Sequence, residues 1–154
     1  MGWSGYGLYD GDGTSSNIYN FIKWATGLSD DEAYDACDEY GLGSMKVSKE
    51  HQFAFLDNLP KVLKKMPKSK YFDEDTALEW QMLGAFFVDN KLPIPHVVRT
   101  KVLYANEYLM GDHAADFDRP SQRRATLNRF KKRVKALEGL LKNGSKYWTE
   151  PFKK

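Results

Sequence analysis

Apolar residues along this chain recur mostly at intervals of three and four, the repeat of a helix with one buried face. Strand-like alternation is nearly absent. Ile18, Phe21, Ile22 and Ala25 mark a first helix from about Ser16 to Ala25, ended by Gly27. Ser29 and Glu32 have capping-box spacing, in which each side chain serves the other's backbone amide. A short acidic helix is therefore predicted over Asp30–Tyr40, stopped by Gly41 and Gly43. Ser48 opens the next, with Phe55, Leu56, Leu59, Val62, Leu63 and Met66 as its stripe. Pro60 lacks a backbone donor and is expected to kink or split that helix.

Asp73–Asp75 cap a helix reaching about Asn90. Its apolar residues, Leu78, Trp80, Met82, Leu83, Phe86, Phe87 and Val88, cover nearly the whole circumference, as a central helix requires. Pro93 and Pro95 force a turn, and Pro95 suits the first position of the helix carrying Val98, Val102, Ala105 and Leu109, which Gly111 closes. Asp118 or Ser121 opens the last helix, reaching about Lys142. Its stripe of Leu127, Phe130, Val134, Leu137 and Leu141 makes only two heptads, so it reads as packing onto a core. The predicted fold is all-α. Residues 1–154 form a single domain, a bundle of five to six helices, with a glycine-aromatic arm over 1–14 and an aromatic-basic tail over 144–154.

Charge changes the picture. The net charge is only +2, but residues 1–80 carry 8 basic against 14 acidic residues and residues 81–154 carry 15 against 7. Such asymmetry points to a macromolecular partner. On a helical wheel, Arg124, Arg129, Lys131, Lys132, Lys135 and Lys142 lie opposite the apolar stripe, with Arg133 at the margin. That face suits phosphates or an acidic protein surface. In the tail, Trp148 stands among lysines, as in surfaces on which single-stranded nucleic acid stacks, or else folds back into the core. Asp30, Asp31, Glu32, Asp35, Asp38 and Glu39 form an acidic surface suited to a basic protein or to another copy's basic helix, which leaves a homodimer open.

Chemistry is sparse. Cys37 is the only cysteine, so no intramolecular disulfide can form, and its acidic neighbours disfavour a thiolate. No nucleophile elbow and no phosphate-binding glycine loop occurs, so no catalytic residue and no cofactor is assigned. Asp10-Gly-Asp12-Gly resembles part of a calcium loop. With Gly13 at the sixth position, Leu8 and Tyr19 occupy the first and twelfth, where ligands belong, and a tight turn is the better reading. His113 and Asp116 could share a helical turn as metal ligands, with Asp112, His51 or His96 completing a site. The alternative is a solvated connection before Arg119-Pro120.

The opening Met-Gly-Trp-Ser-Gly-Tyr-Gly-Leu-Tyr-Asp-Gly-Asp resembles the start of a bacterial and phage family of uncharacterised small helical proteins. Its tryptophan, Trp3, stands one place earlier than in that family. The resemblance implies a helical cytoplasmic protein, fits a phage or mobile-element origin, and transfers no catalytic residue. Tyr6 and Tyr9, with Trp3, are expected to pin the arm to the bundle. The longest uncharged apolar stretch, Trp80–Val88, is far short of the ~20 residues that span a membrane. The combined reading is a small cytoplasmic interaction protein, a regulator or inhibitor, with a protein partner favoured. A nucleic-acid binder using the basic helix and a metal-dependent enzyme around His113 and Asp116 are the alternatives.

Overall fold

The computed structural model describes residues 6–9, 14–33, 35, 45–67 and 73–137, with residues 14–19 described by backbone alone. The architecture is all-α: α1 (Thr14–Thr26), α2 (Lys49–Lys65), α3 (Glu74–Asp89), α4 (His96–Tyr108), a π-helical turn (Leu109–His113) and α5 (Pro120–Ala136). Residues 30–33 and 35 are also helical, and no strand occurs among the described residues. Asp10–Gly13, Cys37, Asp38, Glu39, Lys142, Trp148 and the 144–154 tail lie outside them. No helix of the described residues is long and apolar enough to cross a membrane.

Local chemistry sets the helix ends. Gly27, at φ +72°, closes α1 and its amide bonds the Lys23 carbonyl. Asn58 of α2 then donates to the Trp24 and Ala25 carbonyls, satisfying groups that the end of α1 leaves open. The capping box forms: the Glu32 amide donates to Ser29 Oγ and the Ser29 amide to Glu32 Oε1. Ser48 caps α2 and Asp73 caps α3, each by accepting from the amide three residues on. Pro60 does not split α2, which runs through it with Phe55, Leu56, Leu59 and Val62 buried on both sides. Burial of that stripe outweighs the backbone bond that proline removes.

The core is built around α3. Its buried residues run from Ala77 to Val88, with Leu83, Phe86 and Phe87 fully enclosed. Phe86 packs between Phe55 at 4.2 Å and Phe21 at 6.1 Å, and Phe55 meets Phe87 edge-on at 5.2 Å. Gly84 lets α4 and α5 approach. A Cβ there would stand 2.6 Å from Val102 Cγ1 and 3.2 Å from Phe130 Cζ.

The end of α3 organises three separate segments. Asn90 accepts from the Val47 amide and donates to the carbonyls of Met45 and Phe86. Asp89 Oδ2 accepts from the Met45 amide and the Tyr9 hydroxyl, while Oδ1 pairs with Arg133 at 3.0 Å. Tyr9 thereby pins the arm, as expected, and burial beside a carboxylate pushes its hydroxyl pKa far up. The chain leaves α3 in a Schellman turn: the Lys91 amide bonds the Val88 carbonyl and the Leu92 amide that of Phe87. Lys91 holds φ +53° there, a conformation that glycine adopts without a Cβ penalty.

Two expected outcomes follow for stability, both read by urea unfolding. Gly84→Ala gains helix propensity but overpacks a stiff Val102, and is expected to lose about 1–2 kcal/mol. Lys91→Gly removes the left-handed penalty and is expected to gain about 0.5–1 kcal/mol.

Candidate functional site on the last helix

α5 begins with Pro120 at its first turn and Arg119 as N-cap, without a side-chain cap bond. Neither Asp118 nor Ser121 opens it. Asp118 instead accepts a 2.7 Å bond from the Tyr6 hydroxyl, the second pin on the arm, and that bond raises the Tyr6 pKa. Leu127, Phe130 and Val134 are buried, which turns the opposite side outward. Pro120–Ala136 contains no acidic residue at all.

The outward cations divide into two groups. Lys131 pairs with Glu107 of α4 at 2.9 Å, and Arg133 pairs with Asp89. Their charge is partly neutralised within the fold. Arg124, Arg129, Lys132 and Lys135 are exposed and have no carboxylate partner among the described residues. Arg124 donates to the Met110 carbonyl and Arg129 to Thr126 Oγ1, bonds that orient each guanidinium without cancelling its charge. Ser121, Ala125 and Asn128 stand exposed between them, so no bulky apolar side chain interrupts this face. The acidic residues Asp30, Asp31, Glu32 and Asp35 are all exposed. Of these, Asp30 pairs with Lys23 and Glu32 is held in its capping box.

Arg123 belongs to neither group and was not singled out from sequence. It lies four residues before Leu127, on the apolar side of the wheel, and has 0% exposure. Its Nη1 donates to the carbonyls of Gly7 at 3.0 Å and Tyr6 at 3.3 Å, its Nη2 reaches His113 Nε2 at 3.5 Å, and its Cζ stands 5.3 Å from the Phe117 ring centroid. The periodicity that exposed the outer cations carried this signal too: an arginine inside the stripe needs buried partners.

His113 is not in a solvated connection, and Gly111 does not close α4. The helix continues through the π turn, whose wider spacing carries His113 inside, where its side chain is 3% exposed. Nδ1 meets Glu74 Oε1 at 2.9 Å and the ring packs edge-on against Phe117 at 5.1 Å. Arg123 can donate to Nε2 only if the proton sits on Nδ1, so these contacts assign the neutral ring with Nδ1–H toward Glu74. Both ring nitrogens are thus engaged within the protein. Among the described residues, no group of three or more His, Cys, Asp or Glu side chains could hold a metal ion.

Burial first, and then the adjacent Arg123, hold the His113 pKa below its ordinary 6.5, with Glu74 and Asp116 opposing. An unfolded chain therefore binds a proton near pH 6.5 that the native protein refuses. Stability is fully present above that pH and falls as pH drops toward the native pKa, by up to about 1.4 kcal/mol per pH unit. The difference between the wild type and His113→Gln in urea unfolding isolates this contribution. The wild type is expected to lose more stability between about pH 7.5 and about pH 5.5.

In comparisons with known proteins, the chain matches no protein-family model, no curated protein and no solved structure.

Proposed function

We propose that the chain is a non-enzymatic interaction protein whose working surface is the outward face of α5, and that its partner is a polyanion, a nucleic acid in the first place. One observation carries this reading: Arg124, Arg129, Lys132 and Lys135 share a helix without a single carboxylate and point to solvent unpaired by acidic side chains among the described residues. Protein interface cores are enriched in aromatic residues and depleted in lysine. This face has lysine and arginine with serine, alanine and asparagine between them, a composition closer to phosphate contact than to an apolar interface.

The second reading is a protein partner, with the protein acting as a regulator or inhibitor through its charged faces. Tyr104 and Val97 favour it. They lie seven residues apart on one side of α4 and are 66% and 59% exposed, an aromatic-aliphatic pair suited to a protein contact.

Fluorescence anisotropy with labelled single- and double-stranded DNA and RNA, across a salt series, separates the readings. Polyanion binding is expected to weaken linearly in log–log salt, and Lys132→Glu with Lys135→Glu to lower the slope by about 2. Absence of binding at low salt would overturn the nucleic-acid reading and leave the protein partner.

A further inference from the structure

α1, the end of α2 and the first half of α3 enclose a cleft of about 590 Å³, to which α5 contributes nothing. That volume lies within the roughly 300–1,000 Å³ of small-molecule sites. Phe21, Trp24 and Met82 supply apolar wall, and Phe21 meets Trp24 edge-on at 5.5 Å. Asp75 and Glu79, one turn apart on α3, stand at the same cleft. Lys65 also lines it but is not within ion-pair distance of either carboxylate. Partial burial, then Asp75 and Asp73, hold the Glu79 carboxyl above its ordinary pKa. Here are two carboxylates without a paired cation among the described residues, beside an indole and a thioether.

We propose that this cleft binds an organic cation, a primary or quaternary amine carried on an apolar body. The apolar part displaces water from the wall of Phe21, Trp24 and Met82. The ammonium settles between the Trp24 face and the carboxylates of Asp75 and Glu79, where it meets two negative charges that no cation of the described residues pairs. An anionic ligand of the same shape meets repulsion at α3, so selectivity by charge is the signature of this site. The proposal stands independently of α5 and of its partner.

The test titrates the full chain with octyltrimethylammonium below its micellar range, followed by NMR of methionine methyl groups, with Met82→Leu assigning the Met82 signal. Octanol and octyl sulfate serve as neutral and anionic probes. A saturable shift of the Met82 methyl by the cation, absent with octyl sulfate, is expected. Asp75→Asn with Glu79→Gln is expected to weaken the cation at least about fivefold and to leave octanol unchanged. Lowering the pH until Glu79 protonates must weaken the cation in the wild type as well, a readout that needs no variant to fold. No saturable shift at Met82, equal binding of octyl sulfate, or pH-independent binding of the cation would overturn the proposal.

Discussion

A guanidinium with no exposed surface is the constraint on which much of this structure depends. Arginine stays charged under all ordinary conditions, so Arg123 cannot escape the cost of burial by losing its proton. The cost of removing such an ion from water is several kcal/mol, and only well-placed partners offset it. Among the described residues the partners include the arm carbonyls of Tyr6 and Gly7, the His113 ring from the π turn, and the Phe117 face. Each has to be in position for Arg123 to be tolerated. The arm, the π turn and α5 therefore order one another. Glu74 extends the same set to the first turn of α3 by holding His113 in the tautomer that faces the guanidinium.

The other end of α3 repeats the principle with different chemistry. Asp89 and Asn90 collect an arm tyrosine, the backbone of Met45 and Val47, and Arg133 of α5. A helix apolar on nearly all sides is thus fixed at both termini by polar side chains, and the arm is fastened to the far end of α3 by Tyr9 and to the start of α5 by Tyr6 and Gly7. The outcome for α5 is a division by direction. Arg123 points inward and holds the fold, Lys131 and Arg133 reach sideways to carboxylates, and Arg124, Arg129, Lys132 and Lys135 remain outward and unneutralised by acidic partners among the described residues.

Much of this was legible in the sequence where the determinants are local. Ser48, Asp73, the Ser29–Glu32 box and Gly27 mark helix ends through bonds spanning three or four residues, and each forms. The all-round apolar pattern of α3 likewise placed it at the centre. Non-local determinants escaped. Nothing near Lys91 announces a left-handed lysine, since the requirement comes from the turn that docks Leu92. Pro60 lacks a backbone donor and suggests a break, yet α2 runs through it because the stripe on either side is buried. Gly111 looked like a stop, yet the helix widens into a π turn that carries His113 into contact with Glu74 and Arg123. The basic face could be read from the wheel, but its division could not. Glu107 and Asp89 reach Lys131 and Arg133 across 24 and 44 residues of chain.

Neighbouring cations on α5 thus face opposite ways: Arg123 is buried within the fold, whereas Arg124, Arg129, Lys132 and Lys135 are exposed without a carboxylate partner among the described residues. The most direct measurement is the urea unfolding free energy of Arg123→Met set beside that of Lys132→Glu. Removing Arg123 takes a donor from the half-buried Tyr6 and Gly7 carbonyls and from the buried His113 ring, and is expected to lose about 3–5 kcal/mol. Reversing Lys132 touches no buried partner and is expected to stay within about 0.5 kcal/mol of the wild type. Equal losses in the two variants would contradict the division of α5 into an inner anchor and an open outer face.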